Sequence, residues 1–329
     1  MPPDVSTSSH PWLIGTAVIA AAAIASAAYN RSKASGAEFE TPPVGSFVEV
    51  DGTRLHYLRR GSGPCIVLLH GNGVMLQDWL VSGVFDALAK THDVIAFDRP
   101  GFGYSDRPRT VLWTAQAQAA LLAQALDQLG IAKATVVGHS FGTMVALALG
   151  LDYPDLVTRL VLLGGYFFPT PRADLILNAG PAIPLIGDVM RYTISPLAGR
   201  AMLPKVEELL FAPAPIAPSW ADGFPTEMVL RPSQVRATAA DAGLAIPSVA
   251  ALSKRYGELT IPTTIVAGKG DKIVAFEGQS QRLHETMPRS EFVLIEDVGH
   301  MVHYSARDRV LRAIAPAATA PVVASPVPV

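Results

Sequence analysis

A chain of 329 residues is long enough to bury a substantial core, as one large domain or two smaller ones. Half of its residues are hydrophobic, 16% are charged and the formal net charge is −2; with no Arg/Lys cluster interleaved with aromatics, nucleic acid is excluded as an expected partner. One cysteine, Cys65, excludes an internal disulfide and any multi-thiolate metal site, and within "PCIVLLHG" it reads as a small buried apolar residue.

The apolar surplus begins at the N-terminus. Trp12 to Tyr29, "WLIGTAVIAAAAIASAAY", carries no charge, and as a helix it would be about 27 Å long at 1.5 Å per residue, close to the hydrocarbon thickness of a bilayer. A retained membrane anchor is the leading reading. A cleaved signal peptide and a soluble packed helix are the alternatives: Ala25-Ser26-Ala27 offers a small-x-small cleavage pattern, but "MPPDVSTSSH" contains Asp4 and no basic residue where signal peptides are basic. Arg31 and Lys33 directly after the run favour a cytoplasmic catalytic part; export after cleavage is the alternative. "RSKASGAEFETPPVG" then reads as a linker, giving an anchor-and-linker segment over 1–43.

Strand-like and helix-like stretches alternate from there. "SFVEVDG", "TRLHYLRRG", "CIVLLHG", "DVIAFD", "ATVVGH" and "RLVLLGG" read as strands, and "LWTAQAQAALLAQALDQLG" has helical periodicity. This pattern predicts an α/β fold, a mostly parallel sheet with helices on both faces. The alternation stops over 167–260, where proline-rich, helix-like pieces ("TPRADLILNAGPAIPLIG", "KVEELLFAP", "SVAALSKRYG") predict a helical lid inserted between sheet strands. It resumes with "PTTIVAGKGD" and "EFVLIEDVGH". Core segments are thus expected over 44–166 and 261–315, and the Ala/Pro/Val tail 316–329 reads as disordered.

The chemistry concentrates at Gly138-His139-Ser140-Phe141-Gly142, which fits G-x-S-x-G at a strand-to-helix joint. A nucleophile in that strained turn stands out at the top of the sheet, and the new helix aims its N-terminal amides and dipole toward a developing oxyanion. A serine hydroxyl needs a base to take its proton. His300, after the last strand-like run and a loop glycine, is the leading candidate and His303 the secondary one; His139 should point away from the serine oxygen and pack, and His10, His56, His92 and His284 have no catalytic context. Asp271, closing "TIVAGKGD", can fix the tautomer of His300, whereas Asp297 reads as capping or solvating its loop. The order Ser140, Asp271, His300 is itself a match to one family of triads.

With "LLHGNG" after the third strand and "DRPGFGYSD" after the fourth, the chain resembles the α/β-hydrolase-fold enzymes of the serine-nucleophile, esterase- and lipase-like branch, over roughly 44–165 and 261–313. The resemblance implies an oxyanion hole from the backbone amides of Asn72 and Phe141. Gly73 departs from the proline common at that place, and a serine nucleophile argues against the aspartate-dependent dehalogenase and epoxide hydrolase branches. Leu76 stands where a dinucleotide fingerprint needs its third glycine, so no cofactor is implied; without H-E-x-x-H, C-x-x-C or a P-loop, no metal is implied either. The expected function is hydrolysis of an apolar carboxylic ester through an acyl-enzyme. C–C bond or lactone hydrolysis, a cofactor-free perhydrolase or haloperoxidase-like activity, and a catalytically silent receptor are the alternatives. Oligomeric state is not legible.

Overall fold

The computed structural model describes residues 11–171, 175, 178–287 and 289–315, so the tail 316–329 lies outside the described residues. All eight strand-like runs form strands: β1 Ser46–Val50, β2 Thr53–Arg60, β3 Cys65–Leu69, β4 Asp93–Phe97, β5 Ala134–His139, β6 Val157–Leu163, β7 Thr263–Gly268 and β8 Ser290–Ile295. They build one eight-stranded sheet in the order β1-β2-β4-β3-β5-β6-β7-β8. Strand β2 runs antiparallel to β1 and β4, and the remaining pairs are parallel.

Successive side chains of a strand face opposite sides, so the continuous apolar runs imply two buried faces. Val67 and Leu69 of β3 pack with Leu122 and Leu126 of α4 (Ala115–Gln128) and Met144 and Leu147 of α5 (Phe141–Asp152). Ile66 and Leu68 face the other way, against Trp79 of α2 (Gln77–Val81), Phe85 of α3 (Val84–Leu88) and Val310 near the C-terminal end. Because β4 and β5 flank β3 on opposite sides, the strand order reverses there, and a crevice opens beyond the carboxyl ends of β3 and β5, the place where open α/β sheets bind ligands.

Between β6 and β7 the described residues form helices and no strand. These are α6 (Ile186–Tyr192), α7 (Ile194–Phe211), α8 (Pro218–Gly223), α9 (Thr226–Val229) and α10 (Pro232–Leu252), with α11 (Arg282–Thr286), α12 (Val302–Ser305) and α13 (Arg307–Ile314) following later. The long ones run through Pro204 and Pro247, where the sequence pattern had broken them into shorter pieces.

The first helix, α1 (Pro11–Glu40), corrects the linker reading, since it continues about three turns past the apolar run. The stretch "RSKASGAEFE" supplies helix-tolerant residues, and tertiary contacts fix it. Asn30 Nδ2 donates to the carbonyls of Tyr192 and Thr193, Arg231 pairs with Glu38 at 2.8 Å, and Ala37 is buried with Met75 and Met228. Residues of the uncharged run, Val18, Ile19 and Ile24 among them, are exposed.

The insertion is locked to the sheet by a buried ion pair. Asp241 of α10 accepts from Arg99 at 2.6 Å and Arg107 at 2.8 Å, all three side chains being 4% exposed or less. Asp241→Ala leaves Arg99 as an uncompensated buried cation and is expected to cost about 3–5 kcal/mol of stability. Urea unfolding monitored by circular dichroism measures it, and a loss below about 1 kcal/mol would contradict this account of how the insertion is held.

Candidate active site

Ser140 directly follows His139, the last residue of β5, and turns the chain abruptly, with φ 52° and ψ −119°. A non-glycine residue at positive φ costs on the order of 1–3 kcal/mol and persists only where its surroundings over-determine it. Here Ser140 N donates to Leu163 O at 2.9 Å, and Ser140 O accepts from Thr143 N and Thr143 Oγ1. The flanking glycines allow the crossing: a Cβ on Gly138 would lie 2.5 Å from Gly142 O, and one on Gly142 would lie 2.3 Å from Leu69 O. Helix α5 starts directly behind, with its N-terminus toward the crevice.

Asp271 and His300 follow the carboxyl ends of β7 and β8 and meet. His300 Nδ1 lies 2.8 Å from Asp271 Oδ2, with both side chains nearly buried. The other carboxylate oxygen accepts from the amides of Ile273 at 2.8 Å and Val274 at 2.9 Å, so the carboxylate cannot rotate away. The loop carrying the imidazole is anchored to α7, because His300 N and Met301 N both donate to Leu210 O. Ser140 and His300 line one cavity together with Gly71, Asn72 and Gly73. His303, by contrast, is fully buried against Asp78, with Nε2 3.0 Å from both carboxylate oxygens, and Asp297 is exposed.

The loop after β3 is held by neutral imidazole and buried guanidinium. His70 Nδ1 donates to Gly71 O at 2.7 Å, and its Nε2 accepts from Arg99 N at 2.9 Å. Burial, then the neighbouring Arg99 charge, pushes His70 down to about 3, so it stays neutral. Arg99 further donates to His70 O and Gly71 O, and Asn72 Nδ2 donates to Thr238 O on α10. The motif "DRPGFGYSD" is tied down by Asp98, whose carboxylate takes the amides of Leu76 and Tyr104 and contacts His56 Nδ1 at 2.7 Å.

The cavity measures about 140 Å³. The insertion supplies its roof through Leu203, Val206, Leu210, Trp220, Phe224 and Val229, with Trp220 and Phe224 stacked at 4.0 Å. Glu207 lines it too and accepts from Trp220 Nε1 at 3.0 Å; no lysine or arginine lines it among the described residues. Arg99, the Asp78–His303 pair and the Trp220–Glu207 contact were not singled out from the sequence. Arg99 with Asp241 and Asp78 with His303 join residues 142 and 225 positions apart, for which residue spacing carries no signal.

A model of the alpha/beta hydrolase fold family matches residues 64–306, and the chain belongs to that family. It is a hydrolase of this fold. It is 27% identical to the 2-hydroxy-6-oxo-2,4-heptadienoate hydrolase of Pseudomonas putida, over 79% of this chain and 90% of that protein. A further match is the dihydrolipoyllysine-residue acetyltransferase component of the acetoin cleaving system of Cupriavidus necator, 35% identical over 57% of this chain; the match spans less than half, 46%, of that protein. Among solved structures, Est816, described as an N-acyl homoserine lactone degrading enzyme, is 27% identical with a TM-score of 0.61, covering 81% of this chain and 99% of its own.

The neutrality of His70 has a consequence for stability. The unfolded chain binds a proton there near pH 6.5, whereas the folded chain refuses it until about pH 3, so the contribution is present above pH 6.5 and is lost as pH falls through that window. The unfolding midpoint in urea is expected to drop between pH 7 and pH 4. A His70→Asn variant should show a flatter profile, and an equally steep one would remove His70 from the explanation.

Proposed function

We propose that the chain is a serine hydrolase of neutral, apolar acyl esters, lactones included, working through an acyl-enzyme on Ser140. The observation that carries this reading is the charge of the cavity. A dienoate substrate of the kind named for the Pseudomonas putida relative carries a carboxylate, which in an apolar pocket needs a cationic partner. The pocket offers Glu207 instead, and apolar side chains around it. An N-acyl lactone, like a simple acyl ester, is neutral, and the same cavity suits both.

In this reading His300 takes the Ser140 proton as the hydroxyl attacks the acyl carbonyl, and Asp271 holds the Nδ1–H tautomer and stabilises the imidazolium. The amides of Asn72 and Phe141 receive the oxyanion, with α5 adding the positive end of its dipole. His300 then gives its proton to the leaving alkoxide, and water repeats the sequence on the acyl-enzyme. Ser140→Ala and His300→Ala are expected to lower turnover of p-nitrophenyl octanoate by about 10⁴ to 10⁶ while the fold survives. Fluorophosphonate labelling should disappear in Ser140→Ala; labelling that persists would remove Ser140 from the role. The charge argument is read separately: kcat/KM for a neutral p-nitrophenyl ester should exceed that for the anionic p-nitrophenyl hemisuccinate by at least about tenfold, and the reverse order would favour the dienoate-type reading.

The uncharged, exposed first part of α1 supports membrane anchoring through Trp12 to Tyr29, with the catalytic part on the cytoplasmic side. The full chain should then resist carbonate extraction from membranes, and a chain starting near Ala37 should be extracted while keeping esterase activity. A mature N-terminus at Ala28 would instead identify a cleaved signal peptide.

A further inference from the structure

Behind the wall that carries Ser140, three side chains from separate elements converge: Asp78 of α2, His139 at the end of β5 and His303 of α12. All are 3% exposed or less, and one donor atom from each lies within 4.8 Å of the others. His139 Nε2 sits 3.2 Å from the backbone oxygen of His300, which can only accept, so that nitrogen carries the ring's proton. Burial, together with His303 and His300 alongside, holds the ring far below its ordinary pKa and therefore neutral. Nδ1 is consequently a bare lone pair. No protein donor reaches it, and what it faces, 4.0 Å away, is Asp78 Oδ2. Two buried acceptors thus confront each other, and leaving one such group without a donor costs about 1–3 kcal/mol.

We propose that Asp78, His139 and His303 form a binding site for a divalent transition-metal ion of the zinc class. Zinc–nitrogen and zinc–oxygen bonds of about 2.0–2.2 Å at tetrahedral angles set ligand atoms about 3.4 Å apart. The separations of 3.0 Å between His303 Nε2 and Asp78 and 4.0 Å between His139 Nδ1 and Asp78 bracket that spacing. Two imidazoles and one carboxylate suit zinc and its neighbours better than calcium or magnesium. His139 supplies a lone pair it already has. His303 gives up its hydrogen bond to Asp78, and its proton moves from Nε2 to Nδ1, which has no protein partner to lose. His139 also lines the active-site cavity.

The test uses the full chain in detergent, stripped with EDTA and dialysed against Zn²⁺ or Co²⁺. Expected are one ion per chain by elemental analysis, the visible absorption of four-coordinate Co²⁺, and, in zinc-soaked crystals, an anomalous peak between the three side chains. His303→Gln keeps a donor toward Asp78 but removes the ligand, so the Co²⁺ band should vanish while circular dichroism and the thermal midpoint report a folded protein. A water in place of the peak, no bound ion, or binding that His303→Gln leaves intact would overturn the site.

Discussion

The arrangement of the site depends on one buried guanidinium. Arg99 has no solvent exposure, and its side chain is committed on every edge: Nε to His70 O and NH2 to Gly71 O, both at 2.9 Å, with NH1 to Asp241 at 2.6 Å and Gln118 at 2.9 Å. Its flat face lies 4.6 Å from the ring centres of both Phe102 and Phe141. A charge taken out of water this completely is tolerable only with its partners in place. Those partners come from the loop after β3, from α4 and from α10, and Phe141 belongs to the elbow. The one cation therefore fixes the loop after β3, the residue following Ser140 and the helical insertion relative to one another. Rigid placement of this kind is what preorganised stabilisation of an oxyanion needs.

The histidines around the elbow divide by environment. His70 and His139 are buried among cations or other imidazoles and are held neutral, which makes them fixed hydrogen-bonding parts: one grips Gly71 O, the other the His300 carbonyl. His300 and His303 each face a carboxylate, three residues apart. They differ in what lies on the far side. His300 lines the cavity beside Ser140, while His303 is enclosed by Trp79, His139 and Tyr304. Of these two, His300 is the one that reaches the cavity.

Much of this was legible from residue order because it is local. The eight strands announce themselves as short β-branched runs, and the elbow is legible since the glycines at 138 and 142 are forced by contacts within five residues and with the neighbouring strand. The pairing of Asp271 with His300 could be read because both follow strands and so arrive at one sheet edge. What could not be read is long-range. Arg99 meets Asp241 across 142 residues and Asp78 meets His303 across 225, and a single acid or base in a sequence does not say which partner it will find. The extension of α1 to Glu40 has the same origin, since "RSKASGAEFE" is polar and its helix is held by Tyr192, Thr193 and Arg231 from the distant insertion. The prolines at 204 and 247 mark helix breaks by local rules, yet the packing of α7 and α10 overrides them.

The insertion does more than cover the crevice. Helix α7 contributes Leu203, Val206 and Leu210 to the cavity, and the carbonyl of the same Leu210 holds the amides of His300 and Met301. Helix α10 likewise supplies Asp241 to Arg99 and Thr238 O to Asn72. The surface that lines the cavity and the contacts that place His300 and the loop after β3 are therefore parts of the same two helices. Reshaping the cavity by moving α7 displaces the His300 loop as well, whereas side-chain changes at Val206, which lines the cavity without holding that loop, leave His300 where it is. Divergence in substrate range within such a fold is easiest at positions of the second kind, because a shift of about 1 Å in a catalytic group already costs on the order of 10²-fold in rate.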